Sequence, residues 1–114
     1  MTTARRELGA SGEAAAAAWY EANGYEVVAR NWRCRQGELD LVVRQARTVV
    51  FCEVKTRTSD AFGVPAEAVN HAKRQRLRHL AARWLADAGF PVREIRFDVV
   101  SVLDGHIEVI QGAF

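Results

Sequence analysis

Cysteine, proline and histidine are all scarce in this chain. Two cysteines occur in 114 residues, Cys34 and Cys52, and neither lies in a CxxC pair. That excludes a disulfide framework and a thiolate zinc ribbon, and it predicts reduced thiols. The histidines His71, His79 and His106 are scattered and offer no zinc-ligand spacing. Long apolar runs are absent too. The stretch at residues 14–18 is far short of the ~20 residues that a membrane helix requires. The polar start, Met1 to Glu7, leads into no apolar segment, so neither a signal peptide nor a membrane span is expected. An excess of one charge is also missing. Sixteen basic residues face fourteen acidic ones, a net charge of +2, so total charge alone says little about nucleic acid. What remains is ordinary for one compact cytoplasmic domain over residues 1–114: 49% hydrophobic and 26% charged residues, with no repeat or linker.

Against that background two short runs stand out. Gly37-Glu38-Leu39-Asp40-Leu41-Val42-Val43 and Val49-Val50-Phe51-Cys52-Glu53-Val54-Lys55 both read as strands, yet each carries charge in its middle. Alternation puts Glu53 and Lys55 on one face with Val49 and Phe51, and Glu38 and Asp40 on one face with Val42. A two-residue loop at Ala46-Arg47, or a four-residue loop from Gln45 to Thr48, sets Asp40 opposite Glu53. A three-residue loop would turn Glu53 to the other face. Opposed side chains lie about 5 Å apart at Cβ. Two carboxylates that close repel unless one is protonated or a cation lies between them. With Lys55 alongside, the group has the character of a hard-metal site suited to Mg²⁺, which keeps several waters and often completes its shell with phosphate.

Asp40, twelve residues, then Glu53-Val54-Lys55 resembles the PD-(D/E)xK nuclease signature, with Leu39 where the superfamily name has proline. The wider pattern is similar to the YraN-like family of predicted endonucleases. It is carried by Gly9, Gly12-Glu13, Asn31-Trp32-Arg33, Gly37 to Leu41, Phe51 to Arg57, Phe62-Gly63, Arg96-Phe97-Asp98 and Ala113-Phe114, in order along nearly the whole chain. The resemblance implies a restriction-endonuclease-like αβββαβ core, as in small Holliday-junction resolvases. It also implies phosphodiester hydrolysis leaving a 5′-phosphate and a 3′-hydroxyl.

The order of elements read from the residues agrees. A helix is expected from about residue 5 to 23, closed by Gly24. Strands follow at 25–34, where Tyr25, Val27 and Ala29 alternate with more polar neighbours, and at the two charged runs. A loop is expected at 58–65, then a second helix at about 66–88 that stops at Gly89 before Pro91. Strands at 93–103 and 106–110 flank Asp104-Gly105, a tight-turn dipeptide. This is an α/β fold, a mixed sheet flanked by helices. A helical crossover between the Glu53 strand and the Arg96 strand permits parallel pairing.

The helices add candidates. Gly9, Gly12, Glu13, Ala16 and Tyr20 share a face, and the glycines cost helix stability of roughly 1 kcal/mol each against alanine. Close approach to the sheet is a sufficient cause, and it would carry Glu13 toward Asp40. The plain alternative is a helix-start glutamate that favours the dipole. On the second helix Val69, Lys73, Leu77, Leu80 and Trp84 form a stripe, in which Lys73 either snorkels to solvent or reaches the acids or a phosphate. Arg33, Arg35, Arg57, Lys73, Arg74 and Arg78 are the candidate nucleic-acid contacts. Glu38 is expected to pair with Lys55 or Arg57, Arg96 with Asp98, and Phe97 and Phe114 to join the core.

The expectation is a Mg²⁺-dependent endonuclease, with Mn²⁺ as substitute, acting on DNA in preference to RNA in repair or recombination. Asp40, Glu53 and Glu13 hold metal, and Lys55, remaining an ammonium beside two acids, orients water or stabilises the transition state. A homodimer or a larger partner would help so small a chain span its substrate. Two other classes stay open: a nucleic-acid-binding module that does not cleave, and an interaction protein whose acidic pocket serves a structural ion.

Overall fold

A computed structural model describes residues 3–57 and 69–114, with side chains from residue 10 onward. The order is α1 (Thr3–Ala22), β1 (Glu26–Cys34), β2 (Gly37–Gln45), β3 (Thr48–Arg57), α2 (His71–Ala86), β4 (Glu94–Leu103) and β5 (His106–Ile110). The five strands form one mixed sheet in the order β1-β2-β3-β4-β5. Only β3 and β4 pair in parallel, across the α2 crossover; the other neighbours are antiparallel. This is the mixed α/β architecture expected, compatible with a restriction-endonuclease-like core. The loop expected at 58–65 and the packing of Gly9 lie outside the described residues.

Alternation along the central strands sends alternate side chains to two cores. Val49, Phe51, Phe97 and Val99 pack with Leu77, Leu80, Ala81 and Trp84 of α2. Val50, Cys52, Val100 and Val102 pack with Ala16, Ala17 and Tyr20 of α1. Cys52 therefore lies on the face opposite Glu53, and both cysteines are free. The β2–β3 turn is Ala46-Arg47, with Gln45 paired to Thr48 and the register running unbroken to Leu41 and Cys52.

The ends of α1 and the last hairpin follow local chemistry. Gly24 takes φ 87°, and the Tyr25 N–H returns to the Tyr20 carbonyl at 3.0 Å, a glycine-terminated helix end. Asp104 and Gly105 both have positive φ, 48° and 82°, as a two-residue hairpin turn requires.

Two expectations are corrected. The second helix does not start near residue 66, because Asn70 is extended (φ −75°, ψ 175°) and its side chain caps the Lys73 N–H at 2.9 Å. Asparagine favours that capping geometry over a helical one, and the helix begins at His71. Val69, read as part of the helical stripe, still reaches the core from outside the helix. In β1, a bulge between Val27 and Ala29 breaks the expected alternation. Val27 stays on the α1 side, whereas Ala29 joins Val28 and Trp32 on the α2 side, as an inserted residue must cause.

The α1 face is fixed by a polar anchor within its core. Asp98 is fully buried at 0% exposure. It accepts from Tyr20 Oη at 2.7 Å, from Arg96 Nε and Nη2 at 2.8 and 3.0 Å, and from the Gly112 N–H at 3.0 Å. The expected Arg96–Asp98 pair is thus part of a network that joins α1, β4 and the chain after β5. One turn pair along α1 from Ala16, Gly12 lies so close to β3 that a Cβ there would land on the Thr56 side chain. Gly12→Ala should therefore lower stability by about 1–3 kcal/mol, despite alanine's better helix propensity. Urea unfolding of Gly12→Ala checks this, and Thr56→Ala in the same chain should return part of the loss.

Candidate active site

The paired part of β2 and β3 stops at Leu41 and Cys52. Past that point the Asp40 carboxylate enters between the strands, and its Oδ2 accepts the Val54 N–H at 2.9 Å. Strict alternation ends there as well, since Leu39 packs with Val42 on the α2 side. Asp40 is therefore not a simple cross-strand partner of Glu53; it is held by the backbone beside it.

Glu53 follows the alternation and faces α2. Its Oε1 lies 3.2 Å from Lys55 Nζ and 2.7 Å from Lys73 Nζ. The Glu53 side chain is only 9% exposed, and the two lysines 27% and 28%. Of the two fates open to Lys73, the structure shows contact with the acid. The capped first turn of α2 delivers it, because Asn70 fixes the backbone of Lys73 itself.

Glu13 approaches from α1, carried by the Gly12–Thr56 contact. Burial lifts its carboxyl above the usual value, the charges of Glu38 and Glu53 add to this, and a hydrogen bond with Asn31 opposes it. Asn31 sits in the left-handed region at φ 49°, a conformation that asparagine tolerates better than most residues. Asp40 is raised to about 7, first by burial and then by the charge of Glu53, with Glu13 and Glu38 adding and the Val54 N–H opposing. Lys55 is lowered, by burial first and by the neighbouring Lys73, against the pull of Glu53. For Lys73 burial pulls down, but the contacts with Glu53 and Lys55 outweigh it and raise the ammonium.

Asp40, Glu53, Lys55, Glu13 and Lys73 are thus one electrostatic unit. Glu38 belongs to its field but pairs with Arg33 at 3.3 Å, neither of the partners expected. Arg33 is 77% exposed, and Arg35 stands exposed in the β1–β2 turn. Arg57 ends β3, its carbonyl taking the Asp104 N–H at 3.1 Å. Arg74 and Arg78 lie over the Phe114 ring, 5.3 and 5.6 Å from its centroid. Phe114 in turn stacks on Phe97 at 5.0 Å, so it joins the core edge as expected while also seating two cations. Asn31 and Asp98 were named among the motif residues but given no place in the site or its support. An asparagine inside a branched strand and an acid inside an apolar one were the available signals.

Among the described residues, no three His, Cys, Asp or Glu side chains close into a metal-ligating group. The donor chemistry still fits Mg²⁺, which is commonly held by one or two carboxylates with water and phosphate in the other positions. Burial first, and then the charge of Glu53, raise the Asp40 carboxyl.

Residues 12–102 match the Uncharacterised protein family UPF0102. The chain belongs to that family. A UPF0102 protein of Nocardia farcinica is 57% identical over 108 residues, covering 93% of this chain and 85% of the relative. One from Beutenbergia cavernae is 60% identical over 100 residues, covering 88% and 85%. One from Moorella thermoacetica is 50% identical with both chains covered in full. The UPF0102 match spans Glu13, Asp40, Glu53, Lys55 and Lys73 together.

The sign of the pH dependence follows from Asp40. Its folded pKa of about 7 lies above an unfolded aspartate near 4, so the folded state holds an extra proton between those values. Stability in EDTA should fall as pH rises from about 4 to about 7 and then level off. Asp40→Asn keeps an acceptor for Val54 but removes the charge. At pH 8 in EDTA it should be more stable than wild type by about 1–2 kcal/mol, with a shallower pH profile by chemical denaturation.

Proposed function

We propose that this chain is a metal-dependent phosphodiester hydrolase, an endonuclease acting on DNA of particular shape, with a cytoplasmic role in repair or recombination. The observation that carries the reading is Asp40 and Glu53 brought together at the parting of β2 and β3, with Lys55 beside them. The resemblance to PD-(D/E)xK nucleases supports it, as does the mixed α/β sheet. Among the described residues no helix is long and apolar enough to cross a membrane.

Asp40, Glu53 and Glu13 would hold Mg²⁺ or Mn²⁺. When bound, the ion supplies Lewis-acid charge to the phosphate. Lys55 would orient the attacking water or donate hydrogen bonds to the developing charge on the phosphate. The Val54 N–H keeps Asp40 in one orientation, leaving Oδ1 for a ligand. Arg74 and Arg78, seated on Phe114, provide fixed guanidinium groups for backbone phosphates, with Arg33, Arg35 and Arg57 as further contacts. Among the described residues no base-reading element is evident, so shape and not sequence would select the substrate, DNA before RNA. A second copy or a larger partner would extend the contact surface.

A non-cleaving nucleic-acid-binding module is the second reading. It is favoured by the absence of a closed three-acid group among the described residues. A labelled panel separates the two: duplex, single strand, flap, fork, four-way junction and structured RNA, each with Mg²⁺ or Mn²⁺. The proposal expects cleavage of a branched DNA by wild type, none by Asp40→Ala, and Lys55→Ala that binds without cutting. Binding without cleavage, unchanged in Asp40→Ala, supports the second reading. In Arg74→Ala/Arg78→Ala, the slope of log affinity against log salt should shrink by about 0.9 per lost phosphate contact on duplex DNA. Fluorescence anisotropy from low to moderate salt reads it.

A further inference from the structure

Two ammonium groups converge on one oxygen of Glu53. Lys55 comes from the same strand, two residues on, and Lys73 from the other side of the core on α2. Lys73 is the nearer, 2.7 Å against 3.2 Å. Both approach Oε1. A carboxylate only 9% exposed must be paired to remain ionised at low cost, and one lysine would already serve that need. The second is an added positive charge in a site whose acids otherwise invite a cation.

Lys73 is also held at its base. The Asn70 side chain caps its N–H at 2.9 Å, and the neighbouring Arg74 Nε donates to the Val69 carbonyl at 2.9 Å. Its backbone is therefore fixed by the start of α2, while four methylene groups leave the ammonium free to swing. Lys55, by contrast, rides on a central strand paired in register with β4.

We propose that Lys73 is a positioning residue that acts as the resident counter-cation of Glu53, standing in the site until a divalent ion takes its place. When the ion binds, the ammonium is released beside it, where an incoming phosphate would meet it. This inference rests on the metal-site reading above, but it does not need cleavage to be true. A positive charge in contact with a ligand oxygen opposes a second cation there. Removing that charge while keeping the length of the side chain should therefore strengthen metal binding.

The test is calorimetric titration of the full chain with Mn²⁺ alone, for wild type, Lys73→Met, Lys73→Gln and Lys73→Arg, with Asp40→Ala as the site control. Near-UV circular dichroism confirms that each variant is folded. Lys73→Met and Lys73→Gln should bind Mn²⁺ about tenfold more tightly than wild type, the direction set by removing a like charge. Lys73→Arg should match wild type. Without metal, Lys73→Met should melt at lower temperature than wild type, and saturating Mn²⁺ should narrow that gap. Wild-type or weaker Mn²⁺ affinity in both neutral variants overturns the counter-cation role. It leaves the metal site standing if Asp40→Ala still abolishes binding. If wild type shows no Asp40-dependent Mn²⁺ binding, the metal-site reading fails and this inference with it.

Discussion

The Val54 N–H, on the side of β3 that faces β2, is answered by the carboxylate of Asp40. A backbone donor in a partly buried position must find an acceptor, and here a side chain supplies it where strand pairing stops. That one bond holds the strands apart past Leu41 and Cys52 and fixes Asp40 in the gap. It leaves Glu53 to face α2, so that two acids from adjacent strands share a field without forming a cross-strand pair. Burial in the gap and the nearby charge of Glu53 both raise the Asp40 carboxyl above its ordinary value. Proteins tolerate such tension mainly at sites that use it.

The rest of the fold keeps that gap in place. On one face, the stacked rings of Phe51, Phe97 and Phe114, with Trp84 edge-on to Phe51, lock α2 to the sheet. This sets where Lys73 enters and where Arg74 and Arg78 rest. On the other face, Tyr20 and Arg96 fix α1 by hydrogen bonds to the buried carboxylate of Asp98. Gly12 then lets α1 lie against Thr56, and Glu13 follows as the next residue. Support from the two faces converges at the end of the sheet where β2 and β3 separate.

Much of this was legible in the residues. The hairpin register could be read from the residues, because the two-residue and four-residue loops that the sequence allows give the same pairing. The parallel β3–β4 pair followed from the helical crossover, and the approach of α1 from its costly glycine at position 12. The start of α2 was missed because the periodic stripe that includes Val69 outweighed a lone capping asparagine. The face of Ala29 was missed because a bulge inserts one residue without a strong local signal. Partners of long side chains were the least legible: Glu38 found Arg33, and Lys73 found Glu53, through distances that only packing sets. The Arg96–Asp98 pair is legible from their shared face, but nothing local shows that Tyr20 and the Gly112 N–H also donate to Asp98. The acids at the centre were legible as a pair, but the bond that turns Asp40 into the gap was not.

The central claim is that the gap between β2 and β3 is a divalent-cation site for a phosphate-bearing ligand. Anomalous diffraction from crystals soaked in Mn²⁺ with inorganic phosphate tests it most directly. The account predicts a Mn²⁺ peak within bonding distance of Asp40 and Glu53, lost in Asp40→Asn, with phosphate beside it. Well-ordered crystals with Mn²⁺ bound elsewhere and none in the gap would contradict it.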